Sequence, residues 1–250
     1  MKNKMIDLPK EIDPCPIKES VFEIRYATNY PSDAVFGVIF SAIKDIFPET
    51  NSKSMPALQI PEAIRSKDPN LKYQPLHTLE KGNLNLRIGP RVISFSNMEP
   101  YVGWRNWSAF FIGVLAKIKE TEIIEKVERI GLRYINTFDS IILDKIELKI
   151  DINQTLLLNE PTNLRTEIRD SDLTKILQVA NNVQITVGKE IKQGSVIDID
   201  CSYNISMSSG DFFEKYGDLV NAAHEKEKVL FFSLLKKPFL STFNPVYKEG

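Results

Sequence analysis

The fold is decided by two arginine-rich stretches, Leu84-Asn-Leu-Arg-Ile-Gly-Pro-Arg-Val-Ile-Ser-Phe-Ser96 and Val127-Glu-Arg-Ile-Gly-Leu-Arg-Tyr-Ile-Asn136. In both, apolar residues alternate with polar or charged ones, which is the period of a strand with one buried face. Gly89 and Pro90 predict the turn of a β-hairpin inside the first stretch. Together the stretches predict an antiparallel sheet with one apolar face and one face of fixed charge.

The same alternation occurs in an early segment, Val21–Tyr26, and in a late one, Ser195–Asn204, so the pattern repeats in five predicted strands. The polar face of these strands is predicted to carry Glu23, Arg25, Asn85, Arg87, Ser94, Ser96, Arg129, Arg133, Asp198, Asp200 and Ser202. We expect the apolar face to carry the helices of the protein.

Three amphipathic segments predict these helices, at 33–47, 106–119 and 211–237. Their predicted N-caps are Ser32, Asn106 and either Ser208 or Ser209. The fold class is therefore predicted to be α+β, with one antiparallel sheet or two and helices packed on one face. A helix-grip arrangement is the alternative, in which the last helix closes over one curved sheet and leaves a cavity.

The domain organisation is predicted from proline content and from a weak repeat. Residues 1–17 are polar and proline-rich, which predicts an extended arm. A hairpin followed by an aromatic-rich helix occurs twice, at 84–119 and at 177–237. This suggests two related α+β halves, 18–140 and 141–250, the second ending in the long helix.

The composition of the chain argues against nucleic-acid binding and against a membrane-spanning protein. The chain has 250 residues with 32 basic and 33 acidic side chains, so its net charge of −1 argues against nucleic-acid binding. Its longest apolar run is far shorter than a membrane span, and no signal peptide is apparent. The two cysteines, Cys15 and Cys201, lack ligand spacing and are expected to be reduced thiols. We therefore expect a cytoplasmic protein without a membrane partner.

Several motifs in order resemble a known family. They are Pro16-Ile-Lys-Glu-Ser-Val-Phe-Glu-Ile-Arg-Tyr26, Ile88-Gly-Pro-Arg-Val-Ile-Ser-Phe95, Tyr101-x-x-Trp104, Arg129-Ile-Gly-Leu-Arg-Tyr-Ile-Asn136, Asp198-Ile-Asp200 and Ala223-His-Glu225. Taken together they resemble a sporadically distributed bacterial and archaeal family of unknown function, while residues 140–175 show no such signal. The patchy distribution implies an accessory role, such as a component of a phage-defence or toxin–antitoxin system.

The charged face allows three interpretations. It is a solvated sheet surface with internal ion pairs, a protein interface or homodimer contact, or a site for an anionic ligand or nucleic acid. In the third interpretation, Gly131 between Arg129 and Arg133 would let a ligand approach the backbone. Glu23, Arg25, Arg87, Arg129, Arg133, Asp198 and Asp200 are the candidate binding residues of this face.

Three further residues are candidates with structural alternatives. Tyr101 and Trp104 either plug the end of the core or form an aromatic platform for a ligand. His224 is either a packed core histidine or a functional group, and the run His224-Glu-Lys-Glu-Lys228 is predicted to be a solvated helix segment.

The function predicted from the sequence is binding rather than catalysis. No nucleotide-binding, zinc-protease or serine-hydrolase motif is present, so we predict no catalytic residues, no metal and no cofactor. The first hypothesis is a non-enzymatic interaction protein that uses the charged face on a protein partner or a second copy. The alternative is an enzyme or sensor that binds a phosphorylated or nucleotide-like small molecule.

Overall fold

The computed structural model describes residues 8–47, 52–187 and 190–247, with only the backbone at Val187. The strands are β1 (Ile17–Ala27), β2 (Lys53–Ser54), β3 (His77–Lys81), β4 (Leu84–Gly89), β5 (Val92–Met98), β6 (Lys126–Phe138), β7 (Asp151–Ile152), β8 (Thr155–Leu156), β9 (Thr162–Asp170), β10 (Leu173–Val187) and β11 (Glu190–Ser208). The helices are α1 (Ser32–Ile43), α2 (Glu62–Arg65), α3 (Trp104–Lys119), α4 (Ser209–Leu234) and α5 (Lys237–Ser241).

Nine strands form one antiparallel sheet in the order β2-β3-β4-β5-β1-β6-β11-β10-β9, which confirms the α+β class. The predicted hairpin is β4–β5, and its register pairs Ile88 with Ile93. The last residue of β4 needs to be glycine, because a Cβ at Gly89 would lie 2.5 Å from the carbonyl oxygen of Gln74. Between β6 and β9 lies the small separate hairpin β7–β8.

The predicted helices exist, but their ends differ from the prediction. The first ends at Ile43 rather than at residue 47, although Phe47 is still buried and its ring lies 6.2 Å from that of Phe110. The second begins at Trp104, after Gly103 with φ of +82°, so Asn106 is not its N-cap. Ser32 is not a cap either, because Pro31 occupies that position. The third, α4, ends at Leu234 and is about 39 Å long at 1.5 Å per residue.

The chain divides into two compact units. The α3 unit comprises Glu19–Leu132 and Ser202–Asn221. Its core is aromatic: the ring of Phe22 lies 5.7 Å from Phe95 and 4.5 Å from Phe111, and Trp107 is fully buried. Each buried Phe contributes about 1.5–3 kcal/mol relative to an exposed one, so these strand-to-helix contacts are a main source of the unit's stability.

The β9 unit comprises Met1–Lys18, Arg133–Cys201 and Ala222–Gly250. Ile197 and Ile199 of β11 and Leu177 of β10 are buried in it, with Ala223 and Phe231 of α4. The relation between the two hairpin–helix segments stays a prediction. The division into the halves 18–140 and 141–250 also stays a prediction.

Part of the predicted extended arm, residues 10–13, is hydrogen-bonded to a late segment of the chain, residues 243–246. The N–H of Lys10 donates to the carbonyl oxygen of Val246 at 2.7 Å, and the N–H of Val246 donates to that of Glu11 at 2.9 Å. The Asn244 side chain adds a hydrogen bond of 2.8 Å to the carbonyl oxygen of Asp13. Residues 1–7 of the predicted arm lie outside the described residues.

Candidate functional site

Glu23 is the centre of the charged face in the α3 unit. Its Oε1 accepts hydrogen bonds from Arg25 Nε at 2.8 Å and from Arg129 Nη1 at 2.9 Å. The guanidinium of Arg25 also lies 4.8 Å above the ring of Tyr73, a cation–π distance. The Arg129 side chain is 13% exposed and that of Glu23 23% exposed. Two guanidinium groups therefore share one carboxylate, which fixes both arginines.

Gly131 does not leave an opening for a ligand. A Cβ at this position would clash with Arg129 Nη1, because the guanidinium of Arg129 lies directly over the glycine. The space that the sequence suggested for a ligand is filled by this side chain. The glycine therefore serves the internal ion pair.

Arg87 forms the next pair along this face, with Nη2 3.1 Å from Glu19 Oε1. In the strand register, Ser94 lies between Arg87 and Glu23. Ser94 is 5% exposed and Ser96 is fully buried, so the polar face is shielded from solvent at both serines. The reason is geometric, since short side chains in a central strand are shielded by the long side chains of its neighbours.

Arg133 and Asp198 form the charged site of the β9 unit. Arg133 donates through Nε to Asp198 Oδ1 at 2.8 Å and through Nη2 to Oδ2, which is a bidentate fork. Gln178 Nε2 donates to Asp198 Oδ2 at 3.1 Å. The Asp198 side chain is 9% exposed, whereas that of Arg133 is 42% exposed. Asp200 is half-buried two residues further along β11.

His224 lies on the other side of β6 from Arg133. Its Nδ1 is 3.1 Å from Tyr134 Oη, and neighbouring residues of a strand point to opposite faces. Burial, assisted by the charge of Lys228, lowers the pKa of His224 to about 4. The imidazole is therefore neutral at pH 7 and contacts a tyrosine, on the side of β6 opposite to Arg133.

Glu227 is a buried carboxyl that the sequence prediction missed. It is 5% exposed, and burial raises its pKa to about 8 despite the opposing charge of Lys228. The run from His224 to Lys228 is therefore not solvated throughout. The burial of Glu227 could have been predicted from helical spacing. Ala223, Glu227 and Phe231 fall four residues apart and therefore share one face of α4.

Trp104 belongs to the core aromatic cluster. It is the first residue of α3, and its ring lies 6.0 Å from that of Phe111. Tyr101 is half-buried in the loop before α3.

A cavity of about 220 Å³ lies in the α3 unit, away from the predicted site residues. It is lined by Ser32, Asp33, Phe36, Leu58, Glu62, Arg65, Leu76, His77, Ile88, Gly89 and Pro90. Among the described residues, Arg65 Nε and His77 Nδ1 are buried without a hydrogen-bond partner. His77 stacks on Phe36 at 4.0 Å, and burial lowers its pKa. This cavity was not predicted from the sequence, because Arg65 and His77 lie in no recognisable motif and are 12 residues apart in sequence.

Two kinds of feature are absent from the described parts of the chain. Residues 8–47, 52–187 and 190–247 contain no group of three His, Cys, Asp or Glu side chains placed to hold a metal ion. Over the same ranges, no helix is both long and apolar enough to cross a membrane. Cys15 is exposed and Cys201 is buried, and both are free thiols.

No protein-family model matches the chain, and no curated protein matches its sequence. The resemblance to the sporadically distributed family therefore stays a prediction.

Proposed function

We propose that the protein is a non-enzymatic binding protein that contacts a protein partner through the charged sheet face of the β9 unit, with Arg133 as the anchor. The observation that carries the proposal is the combination of rigidity and exposure at Arg133. Its guanidinium is fixed by both oxygens of Asp198, yet the side chain is 42% exposed.

A fixed and exposed arginine is favourable for binding for two reasons. Immobilising a long side chain costs about 0.5–1.5 kcal/mol on association, and the fork to Asp198 has already reduced that freedom. Arginine is also among the residues enriched at the few positions that dominate interface energy. The expected contact is a partner surface that offers carboxylate or carbonyl oxygens to the guanidinium.

The other candidate anchor, Arg129, supports the face in a different way. Its side chain is 13% exposed and is held by Glu23 over Gly131. We assign it a positioning role within the α3 unit. The family resemblance extends the proposal to an accessory component of a defence or toxin–antitoxin system.

The test compares proteins retained by four purified versions from lysate of the cells that produce the protein: wild type, Arg133→Ala, Arg133→Lys and Arg105→Ala. Arg105 is an exposed arginine of α3 and serves as the matched control. We expect a partner retained by wild type and Arg105→Ala but reduced about 30-fold by Arg133→Ala, as for loss of a dominant interface residue. Arg133→Lys keeps the charge beside Asp198 but loses the fork, so it separates recognition from folding. Retention that is equal in all four versions would exclude Arg133 as the anchor.

A second candidate function, binding of a small anion, is favoured by the cavity. Arg65 Nε and His77 Nδ1 are buried and unpaired there, and leaving such a group unsatisfied costs about 1–3 kcal/mol. Phe36, Leu58 and Ile88 supply apolar walls. A small carboxylate or phosphate with an apolar body would offer the acceptor that Arg65 lacks after a rotation of its guanidinium.

Thermal unfolding with a panel of carboxylates, phosphates and nucleotides tests this second candidate. A ligand at 100 times its Kd should stabilise the protein by about 2.7 kcal/mol. We expect the shift to disappear in Arg65→Leu and to persist in Arg87→Leu, since Arg87 does not line the cavity. No shift with any compound would reject the candidate, and a shift lost only in Arg87→Leu would move the anion site to the charged face.

A further inference from the structure

Strand β9 forms the end of the sheet, and its outer edge has no partner strand among the described residues. Its inner edge pairs with β10 over nine residues, from Asp170 opposite Leu173 to Thr162 opposite Asn181. Natural sheet edges are commonly blocked by proline, lysine or a bulge. The sequence Thr162-Asn-Leu-Arg-Thr-Glu-Ile-Arg-Asp170 contains neither proline nor lysine and pairs with β10 without a break. This edge is therefore long and open.

The charges along β9 are complementary to themselves. When a strand pairs antiparallel with its own copy about Thr166, residues equally far on each side of Thr166 face each other. Arg165 then faces Glu167 of the second copy, and the two-fold axis produces this pair twice. Leu164 faces Ile168 in the same way. Opposite charges and apolar pairs placed directly across two strands both stabilise a sheet.

Other registers are poorer. An axis at Arg165 or at Glu167 places that residue opposite its own copy, which brings like charges together. An axis at Ile168 pairs Glu167 with Arg169 of the second copy but uses only five of the nine residues of β9. Only the axis at Thr166 combines full-length pairing with two opposite-charge pairs.

In this register, the two charged residues next to Thr166 lie on the charged face of the sheet, and the apolar residues of β9 lie on the apolar face. Arg165 lies opposite Gln178, whose amide binds Asp198, so Arg165 and Glu167 extend the charged face to the sheet edge. Leu164 lies opposite Val179, a buried residue of the apolar face. Ile168 on that side is 36% exposed and would be covered by the second copy. Glu167 pairs with Arg169 of its own strand at 3.4 Å, an exposed contact of little energy.

We propose that β9 is a dimerisation edge, at which two copies of the chain pair antiparallel about a two-fold axis at Thr166. The pairing makes the charged face continuous across both copies. It does not depend on Arg133 contacting a partner, so the two proposals fail or succeed separately.

Analytical ultracentrifugation of wild type and of two charge variants tests this edge. Arg165→Glu places two glutamates opposite each other at both pairs, and Glu167→Arg places two arginines there. We expect each single variant to dimerise about tenfold more weakly than wild type. An equal mixture of the two variants restores opposite charges at both pairs, so we expect it to form a mixed dimer about as strongly as wild type.

Controls separate this edge from a general effect of charge. Arg105→Glu and Glu214→Arg make the same changes at exposed positions of α3 and α4 and should dimerise like wild type. Circular dichroism melting checks that all variants fold.

Three results would overturn the proposal. The first is wild type that stays monomeric up to about 1 mM, where a dimer with a Kd of 1 mM is half formed. The second is single variants that dimerise as strongly as wild type. The third is a mixture that fails to restore association, which would contradict the register about Thr166.

Discussion

Glu227 and His224 are buried ionisable groups of α4 whose charges respond to pH in opposite ways. Burial raises the pKa of Glu227 to about 8 from 4.5, so the folded protein holds a proton that the unfolded chain releases above pH 4.5. Its contribution to stability is therefore complete below pH 4.5 and is lost as the pH rises through 8. The pKa of His224 is lowered to about 4 from 6.5, so its contribution is present above pH 6.5 and is lost as the pH falls through 4.

Of these two groups, Glu227 is the one that is still in transition above pH 6.5, which gives a testable prediction. Between pH 6.5 and 8 the wild type should lose about 2 kcal/mol of unfolding free energy, from a slope of about 1.36 kcal/mol per pH unit. In Glu227→Gln we expect this slope to vanish, because the amide does not titrate. Urea unfolding at a series of pH values measures it, with Glu225→Gln, an exposed neighbour, as the control. An unchanged slope in Glu227→Gln would show that another group is responsible.

Helix α4 begins with a capping contact from Ser208, one of the two serines that the sequence offered as the N-cap. Ser208 Oγ accepts a hydrogen bond from the N–H of Asp211 at 3.2 Å and donates one to Asp211 Oδ2 at 2.7 Å. The first contact satisfies one of the N–H groups that every helix start leaves without a partner. The second lowers the pKa of Asp211, together with Lys215.

We therefore expect Ser208→Ala to lower the unfolding free energy by about 1 kcal/mol, the typical value for loss of an N-cap. Ser209→Ala, one residue inside the helix, should have almost no effect. Denaturant unfolding of both variants at pH 7 checks the difference. Equal effects of the two substitutions would mean that the cap contributes nothing.

The two faces of each strand were predictable because the alternation of apolar and polar residues involves neighbours in sequence. The three main helices were predictable because their apolar residues recur every three or four positions. Phe22, Ile24 and Tyr26 are buried and Glu23 and Arg25 are half-buried, as the alternation indicated. The partners of the charged residues were not predictable. Glu23 and Arg129 are 106 residues apart in sequence, and Arg133 and Asp198 are 65 apart, so their pairing depends on which strands become neighbours. The cavity residues were missed for the same reason.

Each of the two compact units is built from segments that are separated in the sequence. The α3 unit includes Ser202–Asn221, whose residue Phe212 is fully buried. The N–H of Ser209 donates to the carbonyl oxygen of Glu125 at 3.1 Å, which ties this segment to the rest of the unit. A fragment that stops at residue 140 lacks all of these contacts.

Residues 18–140 expressed alone should therefore lack a cooperative thermal transition, since losing several buried side chains removes much of a net stability of about 5–15 kcal/mol. The same fragment with Ser202–Asn221 joined through a flexible linker should regain a cooperative transition. Calorimetry of both fragments makes the comparison. A sharp transition for 18–140 alone would instead support the two halves predicted from the sequence.

The backbone bridge between Glu11 and Val246 has a consequence for protein engineering. It holds the two ends of the described chain at the spacing of neighbouring strands, about 5 Å. The chain is therefore suited to circular permutation. A short linker would join the segments near Glu11 and Val246, and new termini would be opened at the exposed turn Asn153–Gln154. Such a circular permutant interrupts only the small hairpin β7–β8 among the elements described above, and it offers an attachment point for a fusion partner at a different place on the surface.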